Sequence, residues 1–137
     1  ELIQYLIKAA GYGSNLLLNV GPMPNGEIQE EHIKSLKKIG EWVSENGETI
    51  YGTRKGPINP TEKLVSTRKG NKIFLHILDF KNNQLIFNDL NEKIKKVEYY
   101  NSNLKADFKY KKSVLTIDLD KSQMNDIDTI IEITLKD

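Results

Sequence analysis

The 137 residues carry 20 Lys and Arg against 19 Asp and Glu, a formal net charge of +1, with 38% hydrophobic and 28% charged residues. Such near-cancelling charge gives no electrostatic footing for nucleic acid or an anionic membrane, so neither is expected as a partner. The absence of cysteine excludes disulfides and thiolate zinc sites, and no apolar run approaches the roughly 20 residues that span a bilayer.

The chain opens at Glu1 without an initiator Met or signal peptide, already inside a helical pattern. Over "ELIQYLIKAAG", Leu2, Ile3, Leu6, Ile7 and Ala10 recur on one side at helical spacing, and Gly11 and Gly13 supply a stop. The run "NLLLN", Asn15 to Asn19, follows with three consecutive leucines and no polar face. That pattern predicts a strand covered on both sides, as in a parallel sheet. In "VGPMPNGEIQ", Gly21, Pro22, Pro24 and the Asn25–Gly26 pair all break regular structure. The next segment, "EEHIKSLKKIGEWVSENG", places Ile33, Leu36, Ile39, Gly40 and Val43 on one helical face. Glu30 and Glu31 sit in its first turn, where the helix dipole favours negative charge.

From Tyr51 the pattern changes. "GTRKGPINPTEK", with Gly52, Gly56, Pro57 and Pro60, reads as a linker. Beyond it, period-two alternation takes over. In "DTIIEITLK", Ile131, Ile133 and Leu135 face one way, while Asp128, Glu132 and Thr134 face the other. In "SVLTIDL", Leu115, Ile117 and Leu119 alternate with Val114, Thr116 and Asp118, and in "ADFKYK", Ala106, Phe108 and Tyr110 oppose lysines and Asp107. "KLVSTR", "KIFLHILD", "QLIFN" and "KIKKVEYY" complete about seven strand candidates separated by turn signals, the pattern of an antiparallel sandwich. An all-antiparallel half cannot supply parallel neighbours for "NLLLN". Those are expected from residues before Glu1, which makes this the C-terminal end of a longer protein.

The first fifty-odd residues resemble the end of the catalytic barrel in family 29 glycoside hydrolases, the α-L-fucosidases. The resemblance rests on Glu1–Leu2–Ile3, on Asn15, Leu17, Leu18, Asn19, Gly21 and Pro22, and on Gly26 and Ile28. It continues through Leu36, Ile39, Gly40 and Trp42 to the run "NGETIYGTR", Asn46 to Arg54. It implies a mixed fold: a terminal helix–strand–helix piece of a (β/α) barrel, followed by an antiparallel β-sandwich of about seven strands. The expected boundaries are residues 1–51 for the barrel end, 52–62 for the linker and 63–137 for the sandwich. Barrel enzymes build their sites at the C-terminal ends of strands, so Asn19 and Gly21 would approach the sugar pocket as substrate-binding residues. The final helix would offer one side to the sandwich. Retaining hydrolysis needs two carboxyl groups about 5–5.5 Å apart, and the family's come from earlier in the barrel. The resemblance therefore implies a segment with no catalytic residue, inactive alone, within an enzyme that removes α-linked L-fucose from glycans. It also implies a fucosylated glycan as partner through the rest of the barrel, no cofactor, and an extracytoplasmic location. A homo-oligomer is compatible with the sequence.

Other residues invite roles that a plainer reading covers. Glu27, Glu30 and Glu31 are best explained by helix-start electrostatics, and Trp42 and Tyr51 by packing against the sandwich rather than sugar stacking. His32 and His76 are too isolated for a metal site, and a hydrogen-bonded structural role is favoured. Tyr99, Tyr100, Phe108 and Tyr110 could line a carbohydrate-binding face, but alternation sends Tyr99 and Tyr100 to opposite sides, and a core role is the commoner one. The runs Lys93–Lys96 and Lys109–Lys112 read as protection of sheet edges. The alternative function is thus a carbohydrate-binding or purely structural sandwich.

Overall fold

The structure, a computed structural model, describes residues 1–79, 81–102 and 104–136. The sandwich boundary expected at residue 137 thus ends just outside them. Helix α1 spans Leu2–Tyr12. Its stop is Gly13, in the left-handed region at φ 78°, whose N–H bonds to Ala10 O at 3.0 Å while that of Ser14 bonds to Ala9 O at 2.8 Å. That paired closure satisfies the last carbonyls of the helix. Gly11, read from sequence as part of the stop, lies inside the helix and has a different role: a Cβ there would stand 2.3 Å from Val65 Cβ. Its lack of a side chain lets α1 lie directly on the sheet.

The strand expected at Asn15–Asn19 does not form among the described residues. Residues 14–21 have no ladder partner, and Leu16, Leu17 and Leu18 are 39%, 84% and 38% exposed. A strand exists through the hydrogen bonds of its neighbours, and here no neighbour is present to provide them. The helix after it, α2, spans Glu30–Asn46 and buries no residue completely. On its apolar face Ile33 and Leu36 are each 38% exposed, and Glu30 pairs with Lys34 at 3.0 Å.

A 3-10 turn, Gly47–Thr49, leads into the β region. Its strands are β1 (Arg54–Lys55), β2 (Leu64–Lys69), β3 (Lys72–Ile77), β4 (Gln84–Phe87), β5 (Ile94–Tyr99), β6 (Phe108–Lys111), β7 (Val114–Asp118) and β8 (Thr129–Leu135). All seven expected strands are present. β1 is an addition: it lies within the 52–62 stretch read as linker and pairs Arg54 with Arg68 and Lys55 with Thr67. Five strands form one antiparallel sheet in the order β1-β2-β3-β8-β5, and three form another in the order β4-β7-β6.

The two sheets close on a shared core. Ile73, Leu75 and Ile77 of β3 and Ile131, Ile133 and Leu135 of β8 meet Leu115 and Ile117 of β7, with Val97 and Tyr99 of β5 beside them. Alternation sends the other side chains of β2 and β3 outward, but they are not solvated. Ile7 of α1 packs with Val65 and Leu78, and Ile3, Trp42 and Ile50 close around them. Both faces of β3 are therefore covered, which is why "IFLHI" is buried at every position. The helix layer is also tied by polar bonds: the Gln4 side-chain amide donates to Ile127 O at 3.0 Å, and the Thr67 hydroxyl donates to Thr49 O at 2.6 Å. The main helix–sheet contact is thus made by α1. The expected contact from α2 is limited to Trp42 and to the Asn101 side-chain amide, which donates to Glu45 O at 3.0 Å.

Candidate functional site

The residues singled out for substrate binding lie in the stretch between the helices. Asn19 and Gly21 are both exposed, and nothing lies within 4 Å of a Cβ built on Gly21. The loop beyond them is organised by its own bonds. Pro22 bridges to Ile28, Met23 N–H donates to Glu27 O, and Gly26 N–H donates to Met23 O, the last two at 2.8 Å. Asn25 caps this turn from both sides. Its Oδ1 accepts from Glu27 N–H at 3.1 Å and its Nδ2 donates to Glu27 Oε2 at 2.8 Å. Gly26 holds φ 86°, which a side chain would strain. The result is a preformed hairpin-like loop that presents Asn19 and Gly21 at its open base. Glu27 is occupied by Asn25 and Glu30 by Lys34, so the acidic cluster acts as turn and helix-start chemistry.

The two histidines have different surroundings. His76 is fully buried, and its Nδ1–H donates to Asp128 Oδ2 at 2.7 Å. The reading of His76 as a hydrogen-bonded structural residue matches that geometry. Asp128, read as facing away from Ile131, Ile133 and Leu135, does so and is closed in under the helix layer. His76 Nε2 and Asp128 Oδ1 have no protein partner, nor has His32 Nδ1. Because both side chains of the His76–Asp128 pair have no exposure, a substrate in solution cannot reach them. No group of three His, Asp or Glu side chains among the described residues converges as a metal site would require.

The aromatic residues divide as alternation predicts. Tyr99 turns into the core between the sheets, where its hydroxyl accepts from Asp120 N–H at 2.8 Å. Tyr100 points to the helix side and meets Phe74 edge-on, ring centres 5.6 Å apart. Burial pushes the phenols of both tyrosines up from their ordinary pKa; at Tyr99 the bond from Asp120 N–H works against this, and at Tyr100 Glu48 adds to it. Phe108 and Tyr110 pack against the core, and Tyr110 donates to Leu90 O at 2.6 Å. Trp42 is half-buried over α1 and also borders a cleft of about 600 Å³ between α2 and the sheet, shared with Tyr100, Asn101, Asn125 and Asp128. These aromatics are thus used in packing, and no exposed aromatic platform for sugar stacking is formed by them.

The described residues thus form an antiparallel two-sheet sandwich bearing two helices and an unpaired leucine segment on one side. The chain is similar to the C-terminal region of α-L-fucosidases. The family profile described as Alpha-L-fucosidase matches residues 1–48. Human tissue alpha-L-fucosidase is 30% identical over 89 residues, covering 63% of this chain and 19% of that protein. The alpha-L-fucosidase of Dictyostelium discoideum is 43% identical over 53 residues, 39% of this chain and 12% of that protein. Among solved structures, alpha-L-fucosidase isoenzyme 1 from Paenibacillus thiaminolyticus superposes with a TM-score of 0.85 at 29% identity, over 99% of this chain and 34% of that one. The Thermotoga maritima alpha-fucosidase in complex with fucose gives 0.80 at 30% identity, over 97% of this chain and 33% of that one. The chain thus spans between a tenth and a fifth of the length of these curated relatives, and about a third of these solved chains.

Proposed function

We propose that the polypeptide containing this chain is an α-L-fucosidase that removes α-linked L-fucose from glycans with retention of configuration. The observation that carries this reading is the superposition of nearly the whole chain on the C-terminal third of fucosidases at about 30% identity. In that setting Asn15–Asn19 is the last barrel strand, completed by neighbours from the rest of the barrel. Asn19 and Gly21 stand at its C-terminal end, where barrel enzymes place their substrate contacts. Asn19 offers an amide that can both donate to and accept from a sugar hydroxyl. Gly21 leaves the space beside it open.

This chain supplies no catalytic carboxylate pair. The carboxylates near the loop are engaged in turn and helix contacts, and the buried Asp128 is committed to His76. The sandwich then has a supporting role: it covers the helices with apolar surface and holds the barrel end in place. An extracytoplasmic location follows from the same reading, since the glycans involved lie largely outside the cytoplasm.

Aryl α-L-fucoside hydrolysis by the full-length protein and by the 137-residue chain tests the reading, with NMR detection of the first anomer released. The full-length protein is expected to release the α-anomer first and the 137-residue chain none. A full-length protein that neither cleaves nor binds α-L-fucosides overturns the activity. Hydrolysis by the 137-residue chain overturns the assignment of the chemistry to other parts of the barrel.

A further inference from the structure

The two ends of the sandwich differ in charge, although the whole chain is near neutral. At the end where β2 turns into β3, four separate segments are drawn together by main-chain and side-chain bonds. Leu135 N–H donates to Asn71 O at 2.8 Å, and Lys136 N–H to Lys93 O at 2.7 Å. Leu90 N–H donates to Ser113 O at 2.8 Å, and the Ser113 hydroxyl to Asn91 Oδ1 at 2.7 Å. This pairing gathers Lys69, Lys93, Lys95, Lys111, Lys112 and Lys136, all of them exposed.

None of the six has an ion-pair partner among the described residues; the lysines that do are Lys8, Lys34, Lys63, Lys72 and Lys96. The acids nearby are largely engaged, Glu92 with Arg68 and Glu132 with Lys72, which leaves Asp89 on the flank. At the opposite end lysines and acids are mixed: Asp79, Asp118 and Asp126 lie there with Lys63, Lys81 and Lys121, and Lys63 pairs with Asp79. Lys112 also holds φ 50° and Ser113 φ 63° in the β6–β7 turn. Turns of this shape favour glycine and asparagine at such positions, so the lysine is kept there against the local backbone preference.

Edge protection accounts for single lysines along a strand. It covers Lys95 and Lys111, which lie on the edge strands β5 and β6, but not Lys69, Lys93, Lys112 and Lys136, which come from turns and strand ends gathered at the same end. We propose that this lysine-rich end of the sandwich docks an anionic polysaccharide. The choice of polysaccharide rests on the glycan-processing reading above. The surface itself also favours it over other polyanions. The arginine at this end, Arg68, is held by Glu92, so the guanidinium fork suited to phosphate is engaged. Nearby Phe108 and Tyr110 pack inward, leaving no ring on which nucleic-acid bases could stack. No large exposed apolar residue belongs to the four segments, so nothing there would insert into a membrane. A flexible polymer bearing sulfates or carboxylates needs only point charges spread over a surface, which is what these lysines offer.

The test is binding of the 137-residue chain to dextran sulfate by titration calorimetry across a salt series. The variant Lys93→Gln/Lys95→Gln/Lys111→Gln/Lys112→Gln is compared with Lys34→Gln/Lys37→Gln/Lys38→Gln/Lys121→Gln, which removes the same charge elsewhere. The first variant is expected to lose tenfold or more in affinity and to flatten the salt slope by about one per contacting lysine removed. The second is expected to stay within about threefold of the parent, as screening of distant charges allows. Equal losses in both variants, or no binding at low salt, overturn the proposal. So does tighter binding to duplex DNA or to phosphatidylserine vesicles than to dextran sulfate. Because the readout is binding, a failure here leaves the fucosidase assay unaffected, and an inactive enzyme leaves this result standing.

Discussion

His76 Nδ1 lies 2.7 Å from Asp128 Oδ2, with both side chains closed to solvent, and this contact joins β3 to the residue that leads into β8. It sits on the side of the five-stranded sheet that the helices cover, so it depends on both layers being in place. Removing one member of a buried polar pair leaves the other desolvated and unpaired, at a cost of about 3–5 kcal/mol. Asp128→Ala and His76→Ala should each lower stability by an amount in that range, read from urea unfolding of the 137-residue chain. The double variant should cost clearly less than the sum of the two. Additive losses would mean that the pair is not coupled.

Gly11 and Gly40 offer opposite outcomes for the same substitution. A Cβ at Gly11 meets Val65 at 2.3 Å, while nothing lies within 4 Å of one at Gly40. Gly11→Ala should push α1 off the sheet and cost about 1–3 kcal/mol, as overpacking does. Gly40→Ala sits inside α2, where alanine is the better helix former, and should stabilise by up to about 1 kcal/mol. Chemical denaturation of both variants checks the pair of signs. Equal effects would contradict the packing described for α1.

Much of this arrangement was legible in the residues, and the reasons are local. The strands β2 to β8 carry period-two patterns bounded by turn signals such as Lys69–Gly70–Asn71, and patterning of that kind needs no tertiary knowledge. β1 escaped notice because two residues inside a Gly- and Pro-rich stretch carry no period. The partner of His76 was not legible, since Asp128 lies 52 positions away and only the β3–β8 register brings them together. The same holds for the six lysines, whose convergence depends on strand order. Gly11 illustrates a choice between two readings of one residue: near a helix end it resembles a stop, and only the approach of Val65 shows it to be a contact. The leucines of Asn15–Asn19 were legible as a buried strand, yet they remain exposed here because none of the described strands pairs with them. Asn19 and Gly21 could be placed on a loop by sequence, but the Asn25–Glu27 bonds that shape that loop emerged only from the structure.

Exposure of the leucine segment has a kinetic signature. Residues 15–21 make no sheet bonds, whereas β3 and β8 are each paired on both sides. Amide hydrogens in 15–21 of the 137-residue chain should exchange at nearly unprotected rates. Those of β3 and β8 should require global opening. In the full-length protein, if the proposed barrel is present, the same segment should become as protected as the sandwich, because barrel neighbours would then complete its ladder. Strong protection of 15–21 in the monomeric 137-residue chain would show that it folds without a barrel, and would remove the structural reason for placing it there.

Tyr99 links stability to alkaline pH. Burial between the sheets raises its phenol above the ordinary value of 10.0, while the bond from Asp120 N–H acts in the opposite sense. A group whose folded pKa is raised contributes stability that is fully present below the unfolded pKa and is lost as pH rises through the folded value. The fold should therefore be insensitive to this group up to about pH 10, the unfolded tyrosine value, and weaken above it. Tyr99→Phe removes both the ionisation and the acceptor for Asp120 N–H. At neutral pH it should cost about 1 kcal/mol for the lost hydrogen bond. Between pH 10 and 11, the gap between the variant and the parent should narrow, because only the parent continues to lose stability through this residue. Tyr100 shifts in the same direction and is present in both proteins, so it cancels from the comparison. Urea midpoints of parent and variant at pH 7, 10 and 11 measure the effect. A gap that stays constant, or widens, would show that Tyr99 is not the group through which alkali loosens the sandwich.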